Sequence, residues 1–298
     1  MSATRPTTVE LAPAKLNIAL SVGPPGVDRM HPICSWMVTI ALHDELELTR
    51  LEHDSLSRYA ILWHAEARRR SNIDWSITRD LAVRAHLALQ ERVRRALPVQ
   101  MKLEKRIPVG GGLGGGSSDA AAMLRATNRL FELDLSDDEL AAIGQELGSD
   151  VPFLVRGGSA IVEGLGDRLE PHDATPPMHL VVAFPSVACP TGPVYAAFDA
   201  LPAARLQPER VRALARSARL APEAPFNDLL PAALAIAPTL KDDIEELSAL
   251  AERPVHLSGS GSTLFVLCDD QLHAEALARS IENRLAMPAI AVATLGCG

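Results

Sequence analysis

Aromatic side chains make up only 4% of this 298-residue chain, so alanine, leucine and the other aliphatics have to build the core. No run of 18 apolar residues occurs, which argues against a membrane-spanning helix. Cysteine is scarce and scattered. Cys34, Cys189, Cys268 and Cys297 form no C-x-x-C and have no nearby histidine pair. They read as reduced thiols of a cytoplasmic protein, not as a zinc site or a disulfide framework. Positive charge is in deficit, with a formal net charge of -8. That argues against nucleic acid and membrane surfaces as partners, while a nucleotide bound as its magnesium complex stays compatible. Met1 to Thr8 lacks the apolar stretch of a signal peptide. At this length roughly 75% of the unfolded surface can be buried, so one large or two ordinary domains are expected without any staple.

Glycine is concentrated in one place. Pro108-Val109-Gly110-Gly111-Gly112-Leu113-Gly114-Gly115-Gly116-Ser117-Ser118-Asp119 runs straight into Ala120-Ala121-Ala122-Met123-Leu124. So many glycines cost conformational entropy, which a chain tolerates where backbone must approach a ligand closely. The alanine run is a strong helix former, Ser117 or Ser118 suits the N-cap, and Asp119 suits the positive end of the helix dipole. A glycine loop feeding a helix N-terminus is an anion site, and phosphate is the expected anion. Two known phosphate motifs do not fit. There is no Gly-Lys-Ser/Thr, and Ile107-Pro108 stands where a dinucleotide fingerprint wants an unbroken strand. A flexible linker would mix polar spacers among the glycines and would not be followed at once by a capped helix.

The rest of the chain reads in order. Val9 to Val22 predicts a strand pair or one bent strand broken at Pro13, with Leu16, Ile18, Leu20 and Val22 on one face. Lys15, Asn17, Ala19 and Ser21 lie on the other, ordinarily a solvated face, although Lys15 and Asn17 together can bind phosphate or a hydroxyl. Met30 to Ile40 and Glu45 to Leu51 predict two strands joined through Leu42-His43-Asp44. Thr78 to Leu97 predicts an amphipathic helix and Val99 to Leu103 a strand, while Lys105 and Arg106 either approach the phosphates or face water. Ser136 to Glu139 is a capping box for a helix that Gly148 stops, and Asp150 follows it before an apolar run. Ser159 to Glu163 predicts a strand, and a domain boundary falls near residue 164. Beyond it lie strands at Leu180 to Phe184, Val255 to Ser258, Thr263 to Leu267 and Ala289 to Ala293. Helices are expected near 206–219, 239–251 and 271–285, giving an α+β sandwich. The turn Ser258-Gly259-Ser260-Gly261-Ser262 is a second small-residue loop and suggests a second close backbone approach to a ligand.

Four segments together resemble a known family. They are Ala12-Pro13-Ala14-Lys15-Leu16-Asn17, the Gly110–Ser118 loop, Gly148-Ser149-Asp150-Val151-Pro152-Phe153 and Leu257-Ser258-Gly259-Ser260-Gly261. In this order they resemble the galactokinase, homoserine kinase, mevalonate kinase and phosphomevalonate kinase superfamily over nearly the whole chain. Within it the greatest similarity is to the 4-diphosphocytidyl-2-C-methyl-D-erythritol kinases. The resemblance implies an α+β two-domain kinase. Residues 1–164 would form an ATP-binding domain like the second domain of ribosomal protein S5, and residues 165–298 a ferredoxin-like domain, with the site in the cleft between them. It implies ATP and Mg2+, and phosphorylation of the 2-hydroxyl of the cytidyl substrate in the non-mevalonate route to isoprenoids. A cytoplasmic monomer or weak homodimer is expected. Another small alcohol, mevalonate-like or homoserine-like, or a catalytically inactive nucleotide-binding relative, are the alternatives.

Carried onto this sequence, Asp150 would be the base or orienter of the hydroxyl and Lys15 its partner, since a hydroxyl nucleophile needs a carboxylate acceptor. Pro108 to Ser118, with Lys105, would hold the ATP phosphates, and Ser117 or Ser118 would touch magnesium. Asn17, His31, Met30, Thr191, Tyr195, Ser258 and Gly259 would contact the substrate. The family pattern Asp-Gly-Tyr-His, whose Tyr stacks on cytosine and whose His hydrogen-bonds it, stands here as Asp28-Arg29-Met30-His31. Met30 is a weaker platform than an aromatic ring. Tyr195 would then stack alone, with Phe198 as a second candidate. Asp80-Leu81 replaces the Asn-Leu pair usual near adenine, and Asn227-Asp228 matches a family element read as structural.

Overall fold

A computed structural model describes residues 5–27, 29–172, 177–202 and 205–296; Asp28 and Cys297 lie outside them. In chain order the elements are β1 (Thr7–Val22), β2 (Ile33–Arg50), β3 (Arg58–Trp63), α1 (Leu81–Val93), β4 (Val99–Lys105), α2 (Gly115–Leu130), α3 (Asp137–Gln145), α4 (Val151–Arg156), β5 (Ser159–Gly164) and β6 (Arg168–Pro171). There follow β7 (His179–Ala183), α5 (Thr191–Asp199), α6 (Pro208–Ala215), β8 (Phe226–Asn227), α7 (Leu230–Ile236), α8 (Leu240–Ala251), β9 (His256–Leu257), β10 (Leu264–Cys268), α9 (Gln271–Leu285) and β11 (Ala289–Ala293). The chain divides into two compact units that are discontinuous in sequence. The first holds residues 1–14, 42–109 and 114–156, and the second residues 15–41, 110–113 and 157–298.

In the first unit, Glu45–Arg50 of β2 pairs antiparallel with β4, and β3 pairs parallel with β4. Strand β4 buries Val99, Met101 and Leu103 at alternate positions. Asp80 caps α1 by accepting from Ala82 N at 2.9 Å and Val83 N at 3.3 Å. The helix expected from Thr78 therefore starts at Leu81, after a separate 3-10 turn at Ile77–Arg79. Helix α1 packs along α2, and α4 packs against α2 and α3. The small Ala120, Ala121 and Ala122 are fully buried, which lets the neighbours of α2 approach closely. Ser136 and Glu139 form the expected capping box of α3.

In the second unit, Ile33–Val38 of β2 pairs antiparallel with β5, β5 with β6, and β1 runs parallel to β8. A separate four-stranded antiparallel sheet has the order β11-β7-β10-β9, with α9 packed on β7, β10 and β11. Leu180 to Ala183 are all buried, so β7 is covered on both faces.

Two expectations about the N-terminal strands are corrected. Pro13 does not break β1, and Leu42-His43-Asp44 does not separate two strands, because β1 and β2 run on for 16 and 18 residues. The face of β1 that carries Lys15, Asn17, Ala19 and Ser21 is not solvated; all four are buried. Its polar groups have internal partners. Asn17 Nδ2 donates to Ser35 Oγ at 2.8 Å, and Ser21 Oγ donates to Asp228 Oδ2 at 2.8 Å.

Candidate active site

The glycine loop divides between the two units. Gly110 to Leu113 belong to the second, and their flanks Pro108, Val109 and Gly114 to Ser118 belong to the first.

In the second unit this short piece is fixed by backbone on both sides. Lys15 N donates to Leu113 O at 2.9 Å, and Thr263 N donates to Gly111 O at 3.2 Å. Gly112 has φ +78°, and a Cβ there would stand 2.3 Å from the Ser258 carbonyl oxygen. Only glycine fits such an approach in that conformation. Ser258 is fully buried; its Oγ donates to Gly112 O at 3.2 Å and accepts from Asn17 N at 3.3 Å. A Cβ on Gly259 would lie 3.2 Å from Gly112 O and 3.4 Å from Asn17 Oδ1. Lys15 Nζ donates to Asn17 Oδ1 at 2.7 Å. Lys15, Asn17, Gly110–Leu113, Ser258 and Gly259, named from distant stretches of sequence, therefore come together here. Asn227 supports the second loop from behind, donating from Nδ2 to Leu257 O at 2.9 Å and to Gly259 O at 2.8 Å.

The same loop leads to an aromatic cluster. Ser260 Oγ lies 3.2 Å from Thr191 Oγ1, the first residue of α5. Thr191, Tyr195, Phe198 and Asp199 share one face of that helix by their spacing. The His31 ring lies 5.0 Å from that of Tyr195 and 5.8 Å from that of Phe198, and its Nε2 is 2.7 Å from Asp199 Oδ1. Met30, beside it in sequence, is 54% exposed. Thr191, Tyr195 and His31 are thus brought into one cluster, and Asp199, which the sequence reading passed over, orients the histidine. Its i+4 spacing from Tyr195 was the available signal.

In the first unit, α2 begins at Gly115 with Gly114 as N-cap in the left-handed conformation. The expectation that Ser117 or Ser118 caps it is corrected, because the N-cap lies three residues before Ser117. Its N-terminus has no side-chain cap, unlike those of α1 and α3, and no acidic residue in its first turn. The first amides of a helix have no partner within it, so this end is open to an anion. Ser118 is fully buried, with its Oγ donating to Pro13 O at 2.7 Å. Ser117 is half-buried and lies beside Gly148, whose Cβ would be 3.7 Å from Ser117 Oγ. Asp150, also half-buried, opens α4 and accepts at its carbonyl from Leu154 N at 3.1 Å.

Lys105 is not where the sequence suggested. Its side chain neither faces water nor is free for phosphate. It is buried, with Nζ 2.6 Å from Asp44 Oδ2 and 2.5 Å from Asp119 Oδ2. Burial alone would depress its pKa, but the two carboxylates outweigh burial and hold the ammonium above its ordinary value. Burial raises Asp119 well above the usual carboxylate range despite Lys105. Asp119 therefore serves this pair instead of the helix dipole, with its Oδ1 buried and unpartnered among the described residues. Asp44 was read as part of a connector. The signal that marks it is position: it stands on the same buried face as Leu42, Leu46 and Leu48, where a charge needs a reason.

No three His, Cys, Asp or Glu residues that could hold a metal cluster together among the described residues. Magnesium carried by a nucleotide does not need such a cage, since it keeps waters and phosphate oxygens and takes one or two protein ligands.

A glycine loop ending on an uncapped helix, set in an α+β fold, makes a phosphate site, and the family models that match the chain put it in the class of small-molecule kinases. Residues 80–158 match the GHMP kinases N terminal domain, and residues 200–286 match the GHMP kinases C terminal domain. The fold is shared with the crystal structure of L. major mevalonate kinase in complex with R-mevalonate, at TM-score 0.69 and 13% identity over 99% of this chain and 98% of that one. A 4-diphosphocytidyl-2-C-methyl-D-erythritol kinase of Exiguobacterium sibiricum is 36% identical over 91% of this chain and 92% of its own length. A crystal structure of 4-(cytidine 5'-diphospho)-2C-methyl-D-erythritol kinase matches at TM-score 0.77 and 33% identity, covering 97% of this chain and all of that one. The chain belongs to the 4-diphosphocytidyl-2-C-methyl-D-erythritol kinase family, a branch of the two-domain GHMP kinases.

Proposed function

We propose that the protein transfers the γ-phosphoryl group of ATP to the 2-hydroxyl of 4-diphosphocytidyl-2-C-methyl-D-erythritol, in the non-mevalonate route to isoprenoid precursors. The observation that carries this reading is His31 held between Asp199 and the Tyr195 and Phe198 rings, in the unit that also carries Gly110–Leu113. A hydrogen-bonding ring among aromatics suits a nucleobase. The hydroxyl oxygen attacks the γ-phosphorus, the bond from the bridging β–γ oxygen to that phosphorus breaks, and ADP leaves. Asp150 accepts or orients the hydroxyl proton, and Lys15 supplies a fixed positive charge. Gly110 to Ser117 and the open end of α2 supply N–H donors to the phosphates. Magnesium arriving with ATP offsets phosphate charge, and Ser117 is the hydroxyl that would hold it, since that of Ser118 is engaged by Pro13 O. Residues 1–164 are read as the ATP-binding domain and 165–298 as the ferredoxin-like domain by chain order, although the compact units group residues 15–41 and 110–113 with 157–298. The enzyme works in the cytoplasm as a monomer or weak homodimer.

A second reading rests on Met30. Its thioether stands where the family places a stacking Tyr, which leaves room for another small alcohol. A coupled ADP-release assay with the cytidyl substrate against mevalonate, homoserine and galactose separates the two. Turnover of the cytidyl compound alone is expected, and turnover of mevalonate without it would overturn the first reading. Asp150→Ala is expected to lower kcat by about two to four orders of magnitude, with ATP affinity nearly unchanged in calorimetry. Full activity would remove Asp150 from its role.

A further inference from the structure

A buried carboxylate closes the base of the phosphate loop. Asp44 is fully buried in β2, inside the first unit. Its Oδ1 accepts from the backbone amides of Arg106 and Ile107, the last two before Pro108, the latter at 2.8 Å. Its Oδ2 takes the Lys105 ammonium at 2.6 Å, and the same ammonium reaches Asp119 of α2 at 2.5 Å. Asp44 thus fixes the end of the strand that enters the loop and the ammonium that reaches across to Asp119 on the helix that leaves it. The two ends meet closely. A Cβ on Gly115 would stand 2.9 Å from Ile107 Cγ2 and 3.9 Å from Asp44 Oδ2.

We propose that Asp44 is a positioning residue for ATP: it fixes the Arg106 and Ile107 amides at the entrance of the glycine loop and braces Lys105, whose ammonium joins that entrance to Asp119 on the helix that leaves it. The proposal rests on the kinase reading given above. A loop whose ends are already joined has less entropy to lose when it binds, so the brace acts on nucleotide affinity. Asp44 uses both oxygens on three donors, whereas Asp119 uses one oxygen on one donor, so the two carboxylates are unequal in this role. An Asn at position 44 can still accept from the backbone but turns an NH2 group toward the ammonium of Lys105.

The test is calorimetric titration of the whole protein with magnesium and a non-hydrolysable ATP analogue, beside steady-state kinetics and a thermal melt. Asp44→Asn is expected to raise the nucleotide Kd about tenfold, in line with loss of charge-assisted hydrogen bonds. The KM for the alcohol at saturating ATP should not move. Asp119→Asn should raise the nucleotide Kd less than Asp44→Asn does. If Asp44→Asn does not fold, Lys105→Gln, which keeps the two backbone bonds to Asp44, carries the test with a smaller rise in the same direction. A variant that melts earlier but binds nucleotide as tightly as the wild type would overturn the proposal and leave Asp44 a purely structural residue. Wild-type protein that binds no nucleotide would instead overturn the kinase reading.

Discussion

Replacing Gly112 by alanine tests whether the two glycine-rich loops of the second unit are built against each other. Three glycines allow the effect to be separated into parts. Gly192 has an ordinary backbone conformation and nothing within 4 Å of where a methyl group would stand, so Gly192→Ala should be neutral or slightly stabilising, as for any Gly→Ala change in a helix. Gly110 has φ +73° and open space around it, so Gly110→Ala should cost only the left-handed conformation, about 1 kcal/mol. Gly112 has φ +78° and would also place its Cβ 2.3 Å from Ser258 O and 3.3 Å from both Gly261 N and Gly261 O. These are backbone atoms, so no rotamer relieves the contact and one of the two loops must move. That movement strains the Ser258 Oγ to Gly112 O and Thr263 N to Gly111 O bonds, at 3.2 Å each. At about 1 kcal/mol per hydrogen bond lost, Gly112→Ala should destabilise by about 3 kcal/mol in all. Urea denaturation reads this as a shift in midpoint at constant slope. Equal midpoints for Gly110→Ala and Gly112→Ala would refute the packing argument, since the two variants differ only in what their methyl groups meet.

Asn227→Ala removes a side chain that holds Leu257 O, Gly259 O and Leu229 N, and leaves those groups to find other partners. A loss of about 2–3 kcal/mol is expected in the same denaturation assay, and a loss under about 0.5 kcal/mol would mean the second loop is held by other contacts. Met30→Tyr should tighten the cytidyl substrate by roughly 0.5–1.5 kcal/mol, read from its KM, if a ring at this position stacks on the base; an unchanged KM would count against that geometry. Burial, helped by Glu163, pushes the Cys34 thiol from 9.0 up to about 12. The unfolded chain then ionises first, so this residue's contribution to stability is intact below about pH 9 and is lost as pH rises toward about 12. Cys34→Ala should flatten that alkaline decline, and an unchanged decline would show that Cys34 does not contribute to it.

Much of the site was legible because its chemistry is written in short contiguous runs. The glycine loop, the capping box at Ser136 and the strand-like alternation after Pro13 each announce a local structure. What the sequence hid depends on partners far along the chain. Lys15 and Asn17 look like a solvated strand face until Ser35 and Ser258, 18 and 241 residues from Asn17, are seen to cover them. Lys105 looks like a phosphate ligand until Asp44, 61 residues away, is found beneath it. Helices α5 and α7 were missed because Pro193 and Pro231 fall in their first turns, where proline is tolerated but reads locally as a breaker. The long β2 was split at His43-Asp44 because a buried aspartate on an apolar face resembles a turn.

The most direct measurement is phosphorus NMR of a reaction containing the protein, ATP, magnesium and 4-diphosphocytidyl-2-C-methyl-D-erythritol. ADP is expected together with one new phosphomonoester resonance on the substrate, with the cytidyl diphosphate resonances retained and a stoichiometry of one ADP per phosphomonoester. ADP with only inorganic phosphate, or a phosphomonoester that forms on a different alcohol while the cytidyl compound stays untouched, would contradict it.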